Sequence, residues 1–473
     1  MISVMWFRQD LRLEDNTALK KAFDDPNELI LLFQVNPSQF LENSLNHQAF
    51  FQSVAHFQKE VNKPFHLQIL YGDVLMCFNQ LKKALPNWNT VYFNQNHCGS
   101  GHERDQMMRH FFKEKQISVV SCADHQLHAA DEIKTKTNDD YKVFTPYYNQ
   151  WIQRIKAAPI KVDLKKDNVI KEVLFPEDEE KFAQLIQALP NKIYYLVGNQ
   201  AAHQQLELFL SQHLVDYQIA RDFPIQNKTS QLSPYLRTGE ISIRTIWQRL
   251  KEQPASEGKE TFIKELCWRD FYNMIYAAHP QQKDQPIQEA FTFIHWENNP
   301  IDFDSWKAGK TGYPIVDAAM RQLNETGWMH NRLRMIVASF LTKDLLIDWR
   351  WGEKYFQQML IDYEPASNIG GWQWAASTGT DAVPYFRIFN PSLQSKKFDA
   401  KGEFIRKFVP ELEKLPPAFI HEPQKMTGNE QQKYGIFLGE TYPNPIVNHQ
   451  EARKKAIARY ELSKELFQEQ QKF

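Results

Sequence analysis

Three stretches of this chain carry residue types that an ordinary core does not need. The first, Asp362-Tyr363-Glu364-Pro365-Ala366-Ser367-Asn368-Ile369-Gly370-Gly371-Trp372-Gln373-Trp374, sets two carboxylates, an amide, a glycine pair and two indoles in one short run. Paired glycines let a backbone approach a flat ligand closely. The carboxylates and Asn can hydrogen-bond the polar edge of a ring, and the indoles offer stacking surfaces. The plainer reading is a Gly-Gly turn followed by the start of a Trp-rich helix, and composition alone leaves both open. In the second stretch, Glu265-Leu266-Cys267-Trp268-Arg269-Asp270-Phe271-Tyr272, residues 265, 268, 269 and 272 share a helix face, so an acid, an indole and a base line one stripe. Its plain reading is a solvated Glu265 to Arg269 pair beside a half-buried Trp. In the third, after Gly327, Asn331, Arg334 and Met335 stand at i, i+3 and i+4, which also suits a polar seam in a helical bundle. Thr229, Ser230 and Ser233 precede Pro234, which suits a helix start with Ser233 as N-cap. Free N–H groups and hydroxyls at such a start can hold a phosphate.

The elements that must position these groups fall into three regions. Residues 1–125 alternate short apolar runs (Ile2 to Phe7, Leu29 to Val35, Leu67 to Tyr71, Val91 to Asn94, Ser118 to Cys122) with amphipathic segments, predicting a parallel α/β sheet. No G-x-G-x-x-G follows the first run, which excludes a standard dinucleotide-binding half. Arg8, Asp10, Arg12, Asp15 and Asn16 read as ion pairs closing the end of the first strand. Residues 126–200 lose periodicity in Lys-, Asp- and Pro-bearing segments such as Lys161 to Asp167, and read as an interdomain linker, helical over Phe182 to Leu189. From 201 to 473 the apolar spacing is helical throughout.

With 473 residues, 42% hydrophobic and 13% aromatic, the chain can build sizeable cores. Mean hydropathy is −0.57, no apolar run reaches membrane-spanning length, and Met5-Trp6-Phe7-Arg8 opens without a signal-peptide layout, so a cytoplasmic protein with no membrane partner is expected. Cys77, Cys98, Cys122 and Cys267 have no metal spacing, so neither metal nor disulfide framework is expected. The net charge of −1 means that any nucleic-acid binding must come from a local basic patch.

Taken together, Trp6-Phe7-Arg8-Gln9-Asp10-Leu11-Arg12-Leu13, Thr229-Ser230-Gln231-Leu232-Ser233-Pro234-Tyr235-Leu236, Gly312 to Arg321, Gly327 to Arg332 and the run from Asp362 to Pro391 resemble the photolyase/cryptochrome family, in particular bacterial class I cyclobutane pyrimidine dimer photolyases. The resemblance is strong after about residue 200 and looser between about 35 and 200. It implies a Rossmann-like α/β antenna domain followed by an all-α FAD-binding domain, and light-driven repair of UV-damaged DNA. It assigns FAD contacts to Tyr217, Thr229, Ser230, Gln231, Leu232, Ser233, Arg334, Asp362, Tyr363, Glu364 and Asn368, with Asn368 facing flavin N5. Lesion and DNA contacts fall on Arg221, Glu265, Trp268, Arg269, Tyr272, Asn331, Arg332, Met335, Trp374 and Arg387. Glu265 would hydrogen-bond the pyrimidine carbonyls. Trp372, Trp349 and Trp296 match the electron relay, and Lys396, Lys397, Lys401, Arg406 and Lys407 are further candidates for phosphate contact. A monomer with no obligatory protein partner is expected.

Particular residues refine that reading. (6-4) photolyases place a histidine where this chain has Met335, and plant cryptochromes place Asp where it has Asn368; both choices favour repair of cyclobutane dimers over flavin-based blue-light sensing. The absence of a low-complexity tail points the same way. Two positions depart from the pattern. Glu364 stands where a second Asp is common. Asn43 and the stretch near Ser100 and Gly101 lack the contacts of folate-binding members, which leaves a different antenna pigment or none.

Overall fold

The computed structural model describes residues 1–165, 167–190 and 195–472. Lys166, inside the stretch expected to be a linker, lies outside them, as do residues 191–194 of that stretch and Phe473. β1 (Ile2–Phe7), β2 (Glu28–Val35), β3 (Leu67–Tyr71), β4 (Trp88–Asn94) and β5 (Ser118–Cys122) form one parallel sheet in the order β3-β2-β1-β4-β5. Side chains alternate across it. Met5, Phe7, Leu31 and Phe33 enter one core, and Val4, Trp6, Ile30 and Leu32 enter the other. Both faces are therefore apolar, as a parallel sheet covered on two sides requires. The short apolar runs read from the sequence are these strands, each within a few residues at its ends.

Residues 126–200 contribute to both cores. The helix Phe144–Gln153 carries Phe144, Tyr147 and Trp151 at i, i+3 and i+7 into the helical unit, where they join Phe209 and Phe271. The helix Pro176–Ala188, with three acids in its first turn, turns back to pack on β3 and buries Phe182 under the sheet. It begins before the helical stretch read at Phe182, because Pro176 supplies a preset first turn.

Buried ion pairs join the sheet to the helices. Arg244, on the helix Ile243–Lys251, meets Asp15 at 2.8 Å and Asp124 at 2.7 Å, and Asp124 also takes Arg12. Arg8 pairs with Asp105. The charged cluster read as closing the first strand thus reaches across to the second half of the molecule.

Beyond residue 200 the described residues form helices, the largest core running through Trp306, Phe340, Trp349, Phe356 and Trp372. Six helices among the described residues line a cavity: Tyr217–Ala220, Ser233–Thr238, Glu257–Ala278, Asn331–Ser339, Trp349–Met359 and Pro365–Ala375. The last corrects the sequence reading, because Gly370 and Gly371 sit inside a helix, not in a turn. Glu364 caps that helix by accepting from Ser367 N at 3.0 Å, and Pro365 occupies its first turn. Gly370 lets it touch the neighbouring helix, since a Cβ there would lie 2.3 Å from the Tyr272 ring, whereas a Cβ on Gly371 would meet nothing within 4 Å.

Candidate functional site

The cavity has a volume of about 550 Å³ and gathers residues far apart in the chain: Tyr217 and Arg221, the run Thr229 to Ser233, Glu265, Trp268, Arg269, Tyr272, Asn331, Arg332, Arg334, Met335, Asp362 to Glu364, Asn368, Trp372 and Trp374. Arg387 is exposed on the loop after Pro384 and does not line it.

At one part of the wall, Asp362 Oδ2 accepts from Ser233 Oγ at 2.7 Å and from Arg334 Nη2 at 2.8 Å. The expected N-cap is corrected here. Leu232 takes the cap position without a side-chain hydrogen bond, and Ser233, already in the first turn of Ser233–Thr238, turns its hydroxyl to Asp362 instead. Four groups on the lining are buried without partners: Thr229 Oγ1, Asp362 Oδ1, Trp372 Nε1, and Arg237 through Nε and Nη1. Buried polar atoms are normally hydrogen-bonded, so their clustering on one concave wall marks a ligand surface.

Asn368 is oriented from behind. Its Nδ2 donates to Glu353 Oε1 at 3.2 Å, and the Tyr363 hydroxyl donates to the same oxygen at 2.9 Å. Burial raises the Glu353 carboxyl above its ordinary range. With Nδ2 engaged, the amide presents its oxygen to the cavity.

Toward the other part of the wall, Glu265 pairs with Arg221 at 2.6 Å. Its partner is therefore not Arg269, the one suggested by helical spacing, whose guanidinium donates to the His125 carbonyl. Arg332 pairs with Asp222 at 2.8 Å. Trp268 lies flat against Phe144, ring centroids 3.7 Å apart and planes 3° apart, with Tyr272 at 5.4 Å. The helix bearing Asn331, Arg334 and Met335 is capped by His330 Nδ1, which accepts from Arg332 N at 3.1 Å. Burial first, then Arg334, lowers the His330 imidazole to about 4.

Trp372 and Trp349 are buried in one core cluster, and the partly exposed Trp296 packs against it. Of the further basic candidates, Lys396 is committed to Glu422, and Arg406 to the Glu413 and Leu415 carbonyls. A second cavity of about 430 Å³ opens at the carboxyl ends of β1 and β2, lined by Trp6, Arg8, Phe50, Phe51, Arg104 and Arg237.

Sequence reasoning missed Glu353, Arg237 and Phe144. Glu353 and Arg237 look like the polar positions of ordinary amphipathic helices, and Phe144 lies where periodicity fades. The pattern Phe144, Tyr147, Trp151 was the signal that a helix docks there.

A parallel α/β layer is joined to a helical unit whose concave wall of unpaired polar atoms defines a ligand-binding protein. Residues 3–165 match the family described as DNA photolyase, and residues 262–462 match the FAD binding domain of DNA photolyase. A deoxyribodipyrimidine photo-lyase of Alkalihalophilus pseudofirmus is 45% identical over 97% of each chain. The crystal structure of a bacterial class III photolyase from Agrobacterium tumefaciens superposes with a TM-score of 0.87 at 35% identity, covering 98% of each chain. An archaeal photolyase from Sulfolobus tokodaii with two FAD molecules superposes at 0.82 and 32% identity, over 98% of this chain and all of that one. The chain belongs to the DNA photolyase family, and FAD is its cofactor. The cavity fits that group, because the unpaired atoms are donors and acceptors suited to its polar edges and Gly371, on the lining, faces open space.

Proposed function

We propose that this chain repairs cyclobutane pyrimidine dimers in UV-damaged DNA, with the dimer flipped out of the duplex into the cavity described above. The observation that carries this reading is the continuity of that cavity: the unpaired wall around Asp362, Thr229 and Trp372 and the Glu265–Trp268 face line one space. When bound in its reduced form and excited, FAD would supply the electron that opens the cyclobutane ring and would take it back, with no net redox change. The protein binds and orients. Thr229 and Ser230 would offer hydroxyls to the pyrophosphate, Ser233 would border it while its own hydroxyl holds Asp362, Asp362 and Arg334 would meet the polar edge of the ring, and the Asn368 oxygen would accept a hydrogen bond at N5. An amide hands over a proton poorly, so Asn368 holds the anionic form in place.

Glu265 meets the pyrimidine carbonyls, and Trp268 and Trp374 replace the stacking that the flipped dimer loses, at roughly 1–3 kcal/mol per aromatic contact. Asn331, Arg332 and Met335 shape the opposite side. Arg221 steadies Glu265, and Arg387 reaches phosphates outside the cavity. Trp372 on the cavity lining, the buried Trp349 and the partly exposed Trp296 would carry the electron that restores reduced flavin. The second cavity is where an antenna pigment would sit. No helix among the described residues is long and apolar enough to cross a membrane. The reading makes the protein a cytoplasmic monomer whose required partner is DNA.

The test is to purify the chain, record its absorption, photoreduce it anaerobically and follow dimers in UV-damaged duplex under near-UV light and in darkness. Flavin bands with light-dependent dimer loss support repair. Bound flavin that photoreduces while the dimers persist sinks it and favours a light sensor.

A further inference from the structure

We propose that Phe144 is a positioning residue for lesion recognition. Held by Asp381, it fixes the plane of the Trp268 indole against which the dimer stacks. The inference deepens the reading above and rests on it.

Aromatic pairs left to themselves prefer offset or edge-on arrangements. The Phe144–Trp268 pair instead lies face to face, at 3.7 Å and 3°. Such a geometry is imposed by what holds the two rings. On one side Trp268 is borne by the long helix Glu257–Ala278. On the other, Phe144 opens the helix Phe144–Gln153, whose own cap residue Val143 supplies no side-chain acceptor. The missing cap comes from a distant segment, since Asp381 Oδ2 accepts from Phe144 N at 3.0 Å. Beside it, Thr380 Oγ1 donates to the Lys142 carbonyl at 2.7 Å. Tyr148 and Trp151 follow along the same helix, successive rings from Phe144 tilted by 23° and 21° with centroids 6.0 and 6.4 Å apart, and Trp151 Nε1 is anchored on Asp270 at 2.8 Å.

Phe144 does not line the cavity, whereas Trp268 does. With one face covered, the indole has only its other face and an edge to offer, in an orientation it cannot leave without breaking that contact. Preorganising a stacking surface removes the ordering cost from binding. The clamp also ties that surface to the loop that follows Trp374, so both indoles of the lesion face are referred to the same short segment, Ser377 to Asp381.

The experiment compares the wild-type holoenzyme with Phe144→Leu, Phe144→Tyr, Asp381→Ala and, as control, Trp268→Ala. For each, flavin content and melting temperature are measured, then affinity for dimer-containing and undamaged duplex, and repair at limiting and saturating substrate. Phe144→Leu should weaken dimer binding by about tenfold. Binding to undamaged duplex, flavin content and repair at saturation should stay within twofold of wild type. Phe144→Tyr, which keeps the ring, should restore the discrimination, and Asp381→Ala, which removes the cap acceptor, should lower it severalfold. If Phe144→Leu discriminates like wild type while Trp268→Ala does not, the inference fails and the lesion face stands. If Trp268→Ala also discriminates normally, the lesion face fails with it. A Phe144→Leu protein that loses dimer and undamaged binding equally, or that Phe144→Tyr does not rescue, also overturns the positioning role.

Discussion

Two adjacent glycines do different work in this protein. A glycine inside a helix costs roughly 0.5–1 kcal/mol relative to alanine, so each needs a reason. Gly370 has one in the Tyr272 ring. Gly370→Ala should destabilise the fold by about 1–3 kcal/mol through overpacking, measured by denaturant unfolding. Gly371 has no protein neighbour to spare. Gly371→Ala should leave the flavin-free chain as stable or up to about 1 kcal/mol more stable, yet weaken flavin retention by about tenfold as a methyl enters the ring's space. Equilibrium dialysis of the flavin checks this, and full retention would show that the ring lies elsewhere. Glu364 finds its account at the same scale. Its carboxylate accepts from Ser367, from N at 3.0 Å and Oγ at 2.6 Å, so it caps a helix as well as bordering the cavity.

The helix Asn331–Ser339 carries Asn331, Arg332, Arg334 and Met335, and its start depends on a neutral imidazole. His330 Nδ1 must accept from Arg332 N, and burial with Arg334 lowers its protonation to about 4. The unfolded chain binds this proton near pH 6.5, so between 6.5 and 4 it holds more protons than the native state, and stability falls as pH falls. The loss attributable to His330 approaches roughly 3 kcal/mol at pH 4. His330→Asn keeps an acceptor at the cap and should flatten the stability profile between pH 6.5 and 4. A profile as steep as wild type would assign the slope to other groups. The junction of sheet and helices titrates with the same sign but at lower pH. Burial alone would lift the Asp124 carboxyl, but Arg12 and Arg244 hold it well below the usual carboxylate range. Its contribution is present above about pH 4 and is lost as pH falls further. Asp124→Asn leaves two buried guanidiniums short of a partner and should cost about 3 kcal/mol at pH 7 in urea unfolding.

For the whole molecule, a net charge of −1 cannot draw DNA by its overall field, so in the proposed function binding would rest on local cations outside the cavity while discrimination would rest on the stacked and hydrogen-bonded lesion. Raising salt from about 50 to 200 mM should therefore weaken damaged and undamaged duplex in parallel, leaving their affinity ratio within about twofold; a ratio that collapses with salt would place discrimination on phosphate contacts. Much of this architecture is legible in the chain. The five strands declare themselves because short apolar runs with turn signals are local, and a sheet covered on both faces needs nothing finer. The residues around the cavity were found together because long motifs preserve order. What needed three dimensions was every choice between partners of similar chemistry. Local spacing offers Arg269 to Glu265, but the fold delivers Arg221. A serine before proline reads as a cap, but Asp362, far along the chain, competes for its hydroxyl. Phe144 sits in a stretch without strong periodicity, and its meaning comes from the indole it covers. Sequence by itself determined the elements, the family and the chemistry of the cavity wall, because these follow from residue type and near-neighbour order. Only the tertiary structure decided which side chains hold which, because those contacts join segments separated by tens to hundreds of residues, and their energies depend on distances and burial that exist only once the chain has closed.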